Sequence, residues 1–192
     1  MLSALFVFKE GFFMQKISAT KRIVGTAMLS ALAYAVSFLE FPVFPAAPFL
    51  KLDFSMTFIL LAGFLFGPVF GISASAVKEL VCVFTKSSTG GIGELANFLV
   101  TLGFILIPTI VYKYRKGLKT VVITLLLGML AQAMVALLTN RFINFPLYMG
   151  DAAKEYFYKL WYFILFFNLI KSAAVSVLTI LLYKRLSNLL KK

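Results

Sequence analysis

Residues 160–183 read LWYFILFFNLIKSAAVSVLTILLY, an apolar run that contains one amide, Asn168, and one ammonium, Lys171. A helix needs about 20 mostly apolar residues to cross the hydrocarbon core of a bilayer, and this run is long enough. Because an amide or a charge is costly inside that core, a residue of either kind there indicates a function. The run therefore predicts a membrane-spanning helix that carries functional polar groups.

Five further apolar runs precede it, some of them short, at about residues 23–39, 54–69, 71–84, 95–112 and 120–139. The chain is 61% hydrophobic and its mean hydropathy is +0.97, whereas soluble domains are usually just under half apolar. Its 192 residues leave little room for a soluble domain beside the runs. We therefore expect an all-α integral membrane protein with six transmembrane helices.

Basic residues cluster in short segments between and beside these runs. Residues 113–119 hold four basic residues and no acidic one, and so does the tail at residues 184–192. Lysine and arginine mark the cytoplasmic side of membrane proteins, so we expect both termini in the cytoplasm and the chain in the plasma membrane. The net charge of +12 is attributed to this marking, since binding to nucleic acid would need a basic patch on a polar surface.

The opposite side carries the long loops, at residues 40–53, 85–94 and 140–159. The first contains three prolines, which exclude a regular helix, and the second is rich in glycine. Elaborate loops on one face are typical of a recognition surface. We therefore expect a pocket that opens to the outside.

Asn168 and Lys171 are three residues apart, which places them on one face of a helix. An amide donates and accepts hydrogen bonds and an ammonium donates them, so the pair suits a ligand with carbonyls, ring nitrogens or hydroxyls. The alternatives are contact between helices for Asn168 and an unrelated counter-ion pair for Lys171. Asn140 and Asn97 lie at the outer ends of the fifth and fourth runs. Both are candidate ligand contacts, although Asn97 could equally cap or tie a helix.

Asp53 lies beside Lys51 at the entrance to the second run, where it could gate the pocket or mark the membrane interface. Lys78 and Glu79 are adjacent in the third run. Neighbouring residues in a helix do not face each other, so we expect each to pair with another helix. Cys82, the single cysteine, is interpreted as a small buried apolar residue.

Ala27, Ala31 and Ala35 recur every four residues in the first run. Such a stripe allows close approach of another helix, either within this chain or from a partner protein. Gly63 and Gly67 offer a similar groove. Spacing alone does not choose between internal packing and docking.

The sequence lacks the motifs of several functional classes. The chain has no histidine, the commonest general base and metal ligand, and no metal site or cofactor is expected. It also lacks the G-x-x-x-x-G-K-[ST] loop that binds ATP, so transport would need an energised partner. Residues 1–13 are apolar but too short to span, and they are treated as an N-terminal extension ahead of a single membrane domain at 14–192.

Five stretches together resemble one family. They are Lys51-Leu-Asp53, LAGFLFGP at 61–68, STGGIGELANF at 88–98, the segment from Asn140 to FPLY at 145–148, and Asn168-Leu-Ile-Lys171. Over roughly residues 16–190 the chain resembles the riboflavin-specific S components of energy-coupling-factor (ECF) vitamin importers.

This resemblance implies a six-helix substrate-binding subunit that captures riboflavin from outside, as cargo rather than as a cofactor. It implies pocket contacts at Asn140, Asn168 and Lys171. It also implies docking through Ala27, Ala31 and Ala35 onto a transmembrane coupling protein that is joined to two cytoplasmic ATPases. The chain would then be no enzyme itself.

Other functions remain open from the sequence. The chain could be an S component for another vitamin or a flavin analogue such as FMN or roseoflavin. A membrane enzyme is disfavoured by the missing histidine. A scaffold protein would leave Lys171 within the membrane without a purpose.

Overall fold

The computed structural model describes residues 18–190, with side chains as far as residue 182. The expected extension at residues 1–13 lies outside the described residues. The described chain is mainly helical, and its elements in order are α1 (Ala19–Val36), β1 (Phe41–Pro42), β2 (Lys51–Leu52), α2 (Ser55–Phe66), α3 (Pro68–Thr85), α4 (Ile92–Tyr114), α5 (Leu118–Thr139), α6 (Phe145–Met149) and α7 (Ala153–Leu190). A π-helical turn (Asn140–Asn144) joins α5 to α6, and a 3-10 turn (Gly150–Ala152) joins α6 to α7.

The six apolar runs of the sequence fall on α1, α2, α3, α4, α5 and α7. Within the described residues, three helical stretches are long and apolar enough to cross a membrane, namely Pro68–Thr85, Ile92–Tyr114 and Leu118–Leu182. The last of these continues through the turns between α5 and α7. A mostly helical membrane protein, as expected from the sequence, is therefore confirmed, whereas the count of six spans and the cytoplasmic termini stay predictions.

Several helices begin or end a few residues away from the sequence-based expectation, and two of these differences have a local cause. α1 ends at Val36, three residues early, because the Phe38 and Leu39 N–H groups bond to carbonyls three residues back, at 3.3 and 2.9 Å, and the chain turns. α7 begins at Ala153 instead of about residue 160. Its first turns are polar, and Lys159 bonds Glu155 at 2.6 Å across one turn, a local pairing that supports a helix without an apolar run.

α2 and α3 are joined by a single residue, Gly67, whose φ of +108° lies in the region that favours glycine. Pro68 then starts α3, a position where its missing N–H costs nothing. The two backbones touch at Gly63 and Gly71, where a Cβ on Gly71 would lie 3.1 Å from the Gly63 Cα. The prediction that Gly63 and Gly67 form a groove is therefore wrong for Gly67, which forms the turn, and Gly71 is the residue that approaches Gly63.

Two apolar clusters fill the bundle. One lies along the helices and includes Ile59, Leu60, Phe104, Ile105 and Val175. The other joins the loops to the helix ends and includes Ala47, Leu50, Phe145, Ile164 and Phe167. The second cluster holds the 43–50 loop, which connects β1 to β2, against α6 and α7. The polar residues described next lie close to this cluster.

Candidate functional site

A cavity of about 470 Å³ lies at the end of the bundle where residues 37–54, 86–91 and 140–152 connect the helices. All five side chains proposed from the sequence line it, namely Asp53, Asn97, Asn140, Asn168 and Lys171. Small-molecule sites usually measure about 300–1,000 Å³, so this cavity is large enough for a ligand of vitamin size. The helices bring together residues that are more than 100 positions apart.

Asp53 and Lys171 form an ion pair inside this site. The Lys171 Nζ donates to the Asp53 Oδ2 at 2.7 Å, and both side chains are nearly buried. The other carboxylate oxygen accepts the Ser55 N–H at 2.8 Å, which fixes Asp53 at the start of α2. Burial alone would raise the pKa of the Asp53 carboxyl, but the Lys171 and Lys78 charges hold that pKa well below its usual range. The ion pair and the Ser55 bond together therefore fix Lys171 at the cavity wall.

Asn168 is buried and lies in a short chain of amides. Its Nδ2 donates to the Ile164 carbonyl at 2.8 Å, and its Oδ1 accepts from Gln132 Nε2 on α5 at 3.2 Å. Gln132 is fully buried and also lines the cavity. Asn168 thus both links α7 to α5 and lines the cavity.

Asn140 repeats the pattern at the end of α5. Its Nδ2 donates to the Ala136 carbonyl at 2.8 Å, and its Oδ1 accepts from Asn144 Nδ2 at 3.1 Å. The π-helical turn that begins at Asn140 places both amides on the cavity wall. Local geometry therefore orients this amide before any ligand enters.

Lys78 and Glu79 bond to each other, contrary to the expectation of partners on other helices. The Lys78 Nζ donates to the Glu79 Oε1 at 2.8 Å, and the side chains are only 6% and 7% exposed. Backbone positions one residue apart diverge, but the long flexible side chains bring their charged ends together. This pair lies on the cavity wall, where the sequence assigned no ligand contact.

Asn97 lies on the first turns of α4, and it is exposed although it lines the cavity. Below it, Glu94 accepts hydrogen bonds from the Ser87 and Thr89 hydroxyls, both at 2.9 Å. These bonds tie the glycine-rich loop to the start of α4. Asn97 thus lies nearer the cavity mouth than the buried amides.

A second ionic group lies at the rim. Glu40 accepts from Lys51 at 2.9 Å and lies 3.4 Å from Lys86, whose Nζ also donates to the Ser37 carbonyl at 2.7 Å. Partial burial raises the pKa of Glu40, but the two lysines outweigh it and lower that pKa. Lys51, which the sequence places at a gate or at the membrane interface, therefore ties strand β2 to the loop that follows α1.

Aromatic side chains complete the walls. Phe49 from the 43–50 loop meets Phe145 edge-on, with ring centroids 5.9 Å apart. Phe167 and Tyr148 also line the cavity. The Tyr148 hydroxyl lies 3.4 Å from the Thr89 carbonyl, linking α6 to the glycine-rich loop. The cavity therefore combines apolar walls with a few oriented polar groups, as ligand sites generally do.

The alanine stripe lies away from the cavity. Ala27, Ala31 and Ala35 are all exposed, while α1 packs on α2 and α3 through the face that buries Ser30 and Ala33. Within the described residues, the stripe is therefore not buried against another helix of this chain, and docking of a partner stays a prediction.

Sequence reasoning missed Gln132, Asn144, Lys78 and Glu79 as members of the site. A signal existed for Gln132, since a single amide in the otherwise apolar run of α5 is as informative as Asn168. Cys82, expected to be buried, is buried and lines the same cavity. Among the described residues, no group of three or more Cys, Asp or Glu side chains is placed to hold a metal ion.

A polar cavity inside a bundle of apolar helices defines a membrane protein that binds a small molecule. Residues 21–183 match the family model of the ECF transporter substrate-specific component. The chain belongs to that family, which confirms the resemblance seen in the sequence.

Individual relatives agree with the family. The chain is 36% identical over 177 residues to the riboflavin transporter RibU of Staphylococcus aureus (strain TCH60), covering 90% of this chain and 93% of that protein. It is 30% identical over 177 residues to the riboflavin transporter FmnP of Bacillus subtilis (strain 168), covering 86% and 92%.

A solved structure is similar as well. The structure described as the S component of a bacterial ECF transporter superposes with a TM-score of 0.81 at 35% identity, covering 91% of this chain and all of that chain.

Proposed function

We propose that this chain is the riboflavin-binding S component of an ECF importer. The observation that carries the proposal is the gathering of Asp53, Asn97, Asn140, Asn168 and Lys171 around one cavity of vitamin size. Relatives with matching length are named riboflavin transporters. The chain would bind the vitamin and leave ATP hydrolysis to partners.

The charge of the cavity suits this ligand. Four lysines line it (Lys51, Lys78, Lys86 and Lys171), and so do four carboxylates (Glu40, Asp53, Glu79 and Glu94), so the formal charge of the lining is zero. Each of these lysines already has an oxygen partner within 2.9 Å. Riboflavin is uncharged and matches this balance, whereas the phosphate of FMN would add negative charge that no surplus lysine in the lining offsets. Riboflavin is therefore favoured over FMN.

The proposed topology has six spans with both termini in the cytoplasm. The basic segment at residues 113–119 then lies inside, and the cavity, at the other end of α4 and α5, opens outside. The ligand enters from the medium. The exposed stripe of Ala27, Ala31 and Ala35 docks on the coupling protein, which two cytoplasmic ATPases drive.

Purification from cells grown with riboflavin tests the ligand. We expect yellow protein with flavin absorbance, and quenching of riboflavin fluorescence when flavin-free protein is titrated. FMN added as competitor should displace riboflavin only at higher concentration. Folded protein that neither retains flavin nor quenches its fluorescence would refute the proposal.

A further inference from the structure

Six buried side-chain oxygens have no hydrogen-bond partner among the described residues. Three are the hydroxyls of Thr57, Ser75 and Thr179, none of which lines the cavity. The other three are the acceptors Glu79 Oε2, Gln132 Oε1 and Asn144 Oδ1, and all three residues line the cavity. Because a buried acceptor without a hydrogen-bond partner destabilises a protein, three at one cavity require an explanation.

The direction of each acceptor is fixed by its neighbours. The Asn168 Nδ2 donates a hydrogen bond to the Ile164 carbonyl, so the Asn168 oxygen faces Gln132 and accepts a hydrogen bond from its amide nitrogen. This arrangement leaves the Gln132 oxygen unpaired. The Ala136 carbonyl orients Asn140 in the same way.

The same logic holds for the other two acceptors. The Asn140 oxygen accepts a hydrogen bond from the Asn144 amide nitrogen, so the Asn144 oxygen stays unpaired. Lys78 occupies only one oxygen of Glu79. Turning the Gln132 or Asn144 amide would set its oxygen against another oxygen and break a bond already present, and the Glu79 carboxylate has no N–H to present.

We propose that Glu79, Gln132 and Asn144 are specificity-determining residues that accept hydrogen bonds from donors on the ligand. The inference rests on the proposed function and extends it. Gln132 is fully buried and Glu79 is 94% buried, so bulk solvent does not reach either side chain freely. The acceptors select a ligand rich in hydroxyl or N–H groups over one of the same shape that lacks them.

The chemistry of riboflavin assigns the donors. Its ring system carries a single N–H, and its other donors are the hydroxyls of the ribityl chain. Three acceptors cannot share that single N–H, so at least two of them bind ribityl hydroxyls. Recognition of the ribityl chain, and not only of the flat ring, is therefore built into the cavity wall.

The test compares riboflavin with lumiflavin, which keeps the ring and its N–H but replaces the ribityl chain by a methyl group. Glu79→Gln is the sharpest variant. Its amide oxygen can face Lys78, which places an NH₂ group where the unpaired oxygen was and changes an acceptor to a donor at nearly constant shape. Gln132→Met and Asn144→Leu remove the other two acceptors, and Thr179→Val is the control that removes an unpaired oxygen outside the cavity.

We expect at least two of the three variants to weaken riboflavin binding by about 5- to 150-fold while lumiflavin binding changes far less. Thr179→Val should bind both flavins as the wild type does. Fluorescence-quenching titration of the full chain in detergent measures both affinities, and monodisperse elution shows that each variant is folded.

Two results would overturn the inference while riboflavin binding stands. One is wild-type affinity for riboflavin in all three variants, and the other is an equal loss of both flavins in all three, which marks a purely structural role. A wild-type chain that binds no riboflavin would instead overturn the proposed function, and this inference with it.

Discussion

The cavity and the alanine stripe of α1 are built on opposite principles. The cavity gathers ion pairs and amides that are nearly buried, and their hydrogen bonds hold one another in place. The stripe presents only the small side chains of Ala27, Ala31 and Ala35, all exposed. Polar groups are costly in an apolar bundle, so the cavity is suited to bind a molecule. Small residues let another helix approach, so the stripe is suited to bind a protein.

The two surfaces share no residue, because the cavity is lined from the connecting loops and from α2 to α7. The face of α1 that packs inward lies opposite the stripe. Ligand binding and partner docking should therefore be separable by mutation. The following tests either break this separation or make it sharper.

The largest effect is expected from Ala31→Trp. A bulky ring at the centre of the stripe holds a partner helix away, so uptake and co-purification with the coupling and ATPase subunits should be lost while riboflavin affinity stays unchanged. Uptake assays in cells that carry the partners and titration in detergent measure the two properties. Val177→Trp on α7, also at an exposed position, is the control and should transport normally. Normal uptake by the Ala31 variant would contradict docking through the stripe.

A large effect inside the cavity is expected from Lys171→Met. Removing the ammonium leaves Asp53 buried without its nearest counter-ion, a change that typically costs about 3–5 kcal/mol of stability. Riboflavin affinity and the unfolding temperature in detergent should both fall. Adding Asp53→Asn to the same chain removes the stranded charge and should restore most of the thermal stability. A double variant no more stable than Lys171→Met would contradict the structural role of the ion pair.

Asn168→Ala and Asn97→Ala form a smaller, graded comparison. Asn168 is buried at the cavity wall, so its loss should weaken riboflavin binding by about 5- to 150-fold. Asn97 is exposed near the mouth, where water replaces a lost hydrogen bond, and its loss should have a much smaller effect. Titration of both variants tests the order. An equal or greater loss at Asn97 would show that the ligand lies nearer the mouth than the buried amides.

The last test concerns sidedness and leaves the proposed contacts Asn140, Asn168 and Lys171 in place. Arg115→Cys and Asp151→Cys introduce exposed thiols at the two ends of the bundle, in a Cys82→Ala background. A membrane-impermeant thiol reagent added to intact cells should label position 151 and not position 115. Permeabilised cells should label both. The reverse pattern in intact cells would refute the proposed orientation.

Much of the helical fold was predictable because hydropathy and helical period are local. Each apolar run became a helix, and the Gly67-Pro68 turn fell where expected. The approach of Gly63 to Gly71 was not predictable, because it depends on how two helices rotate about their axes after the turn. The early start of α7 was missed because an amphipathic first turn does not resemble a membrane span.

The sequence by itself determined which residue types would be expensive to bury, and so it identified Asn168, Lys171, Asn140 and Asp53 as candidate site residues. Only the tertiary structure decided their partners. Asp53 meets Lys171 across 118 positions of sequence, and Gln132 meets Asn168 across 36. A residue's cost of burial follows from its own chemistry, whereas a hydrogen bond of about 3 Å depends on the rotation and register of two separate helices, which no local pattern records.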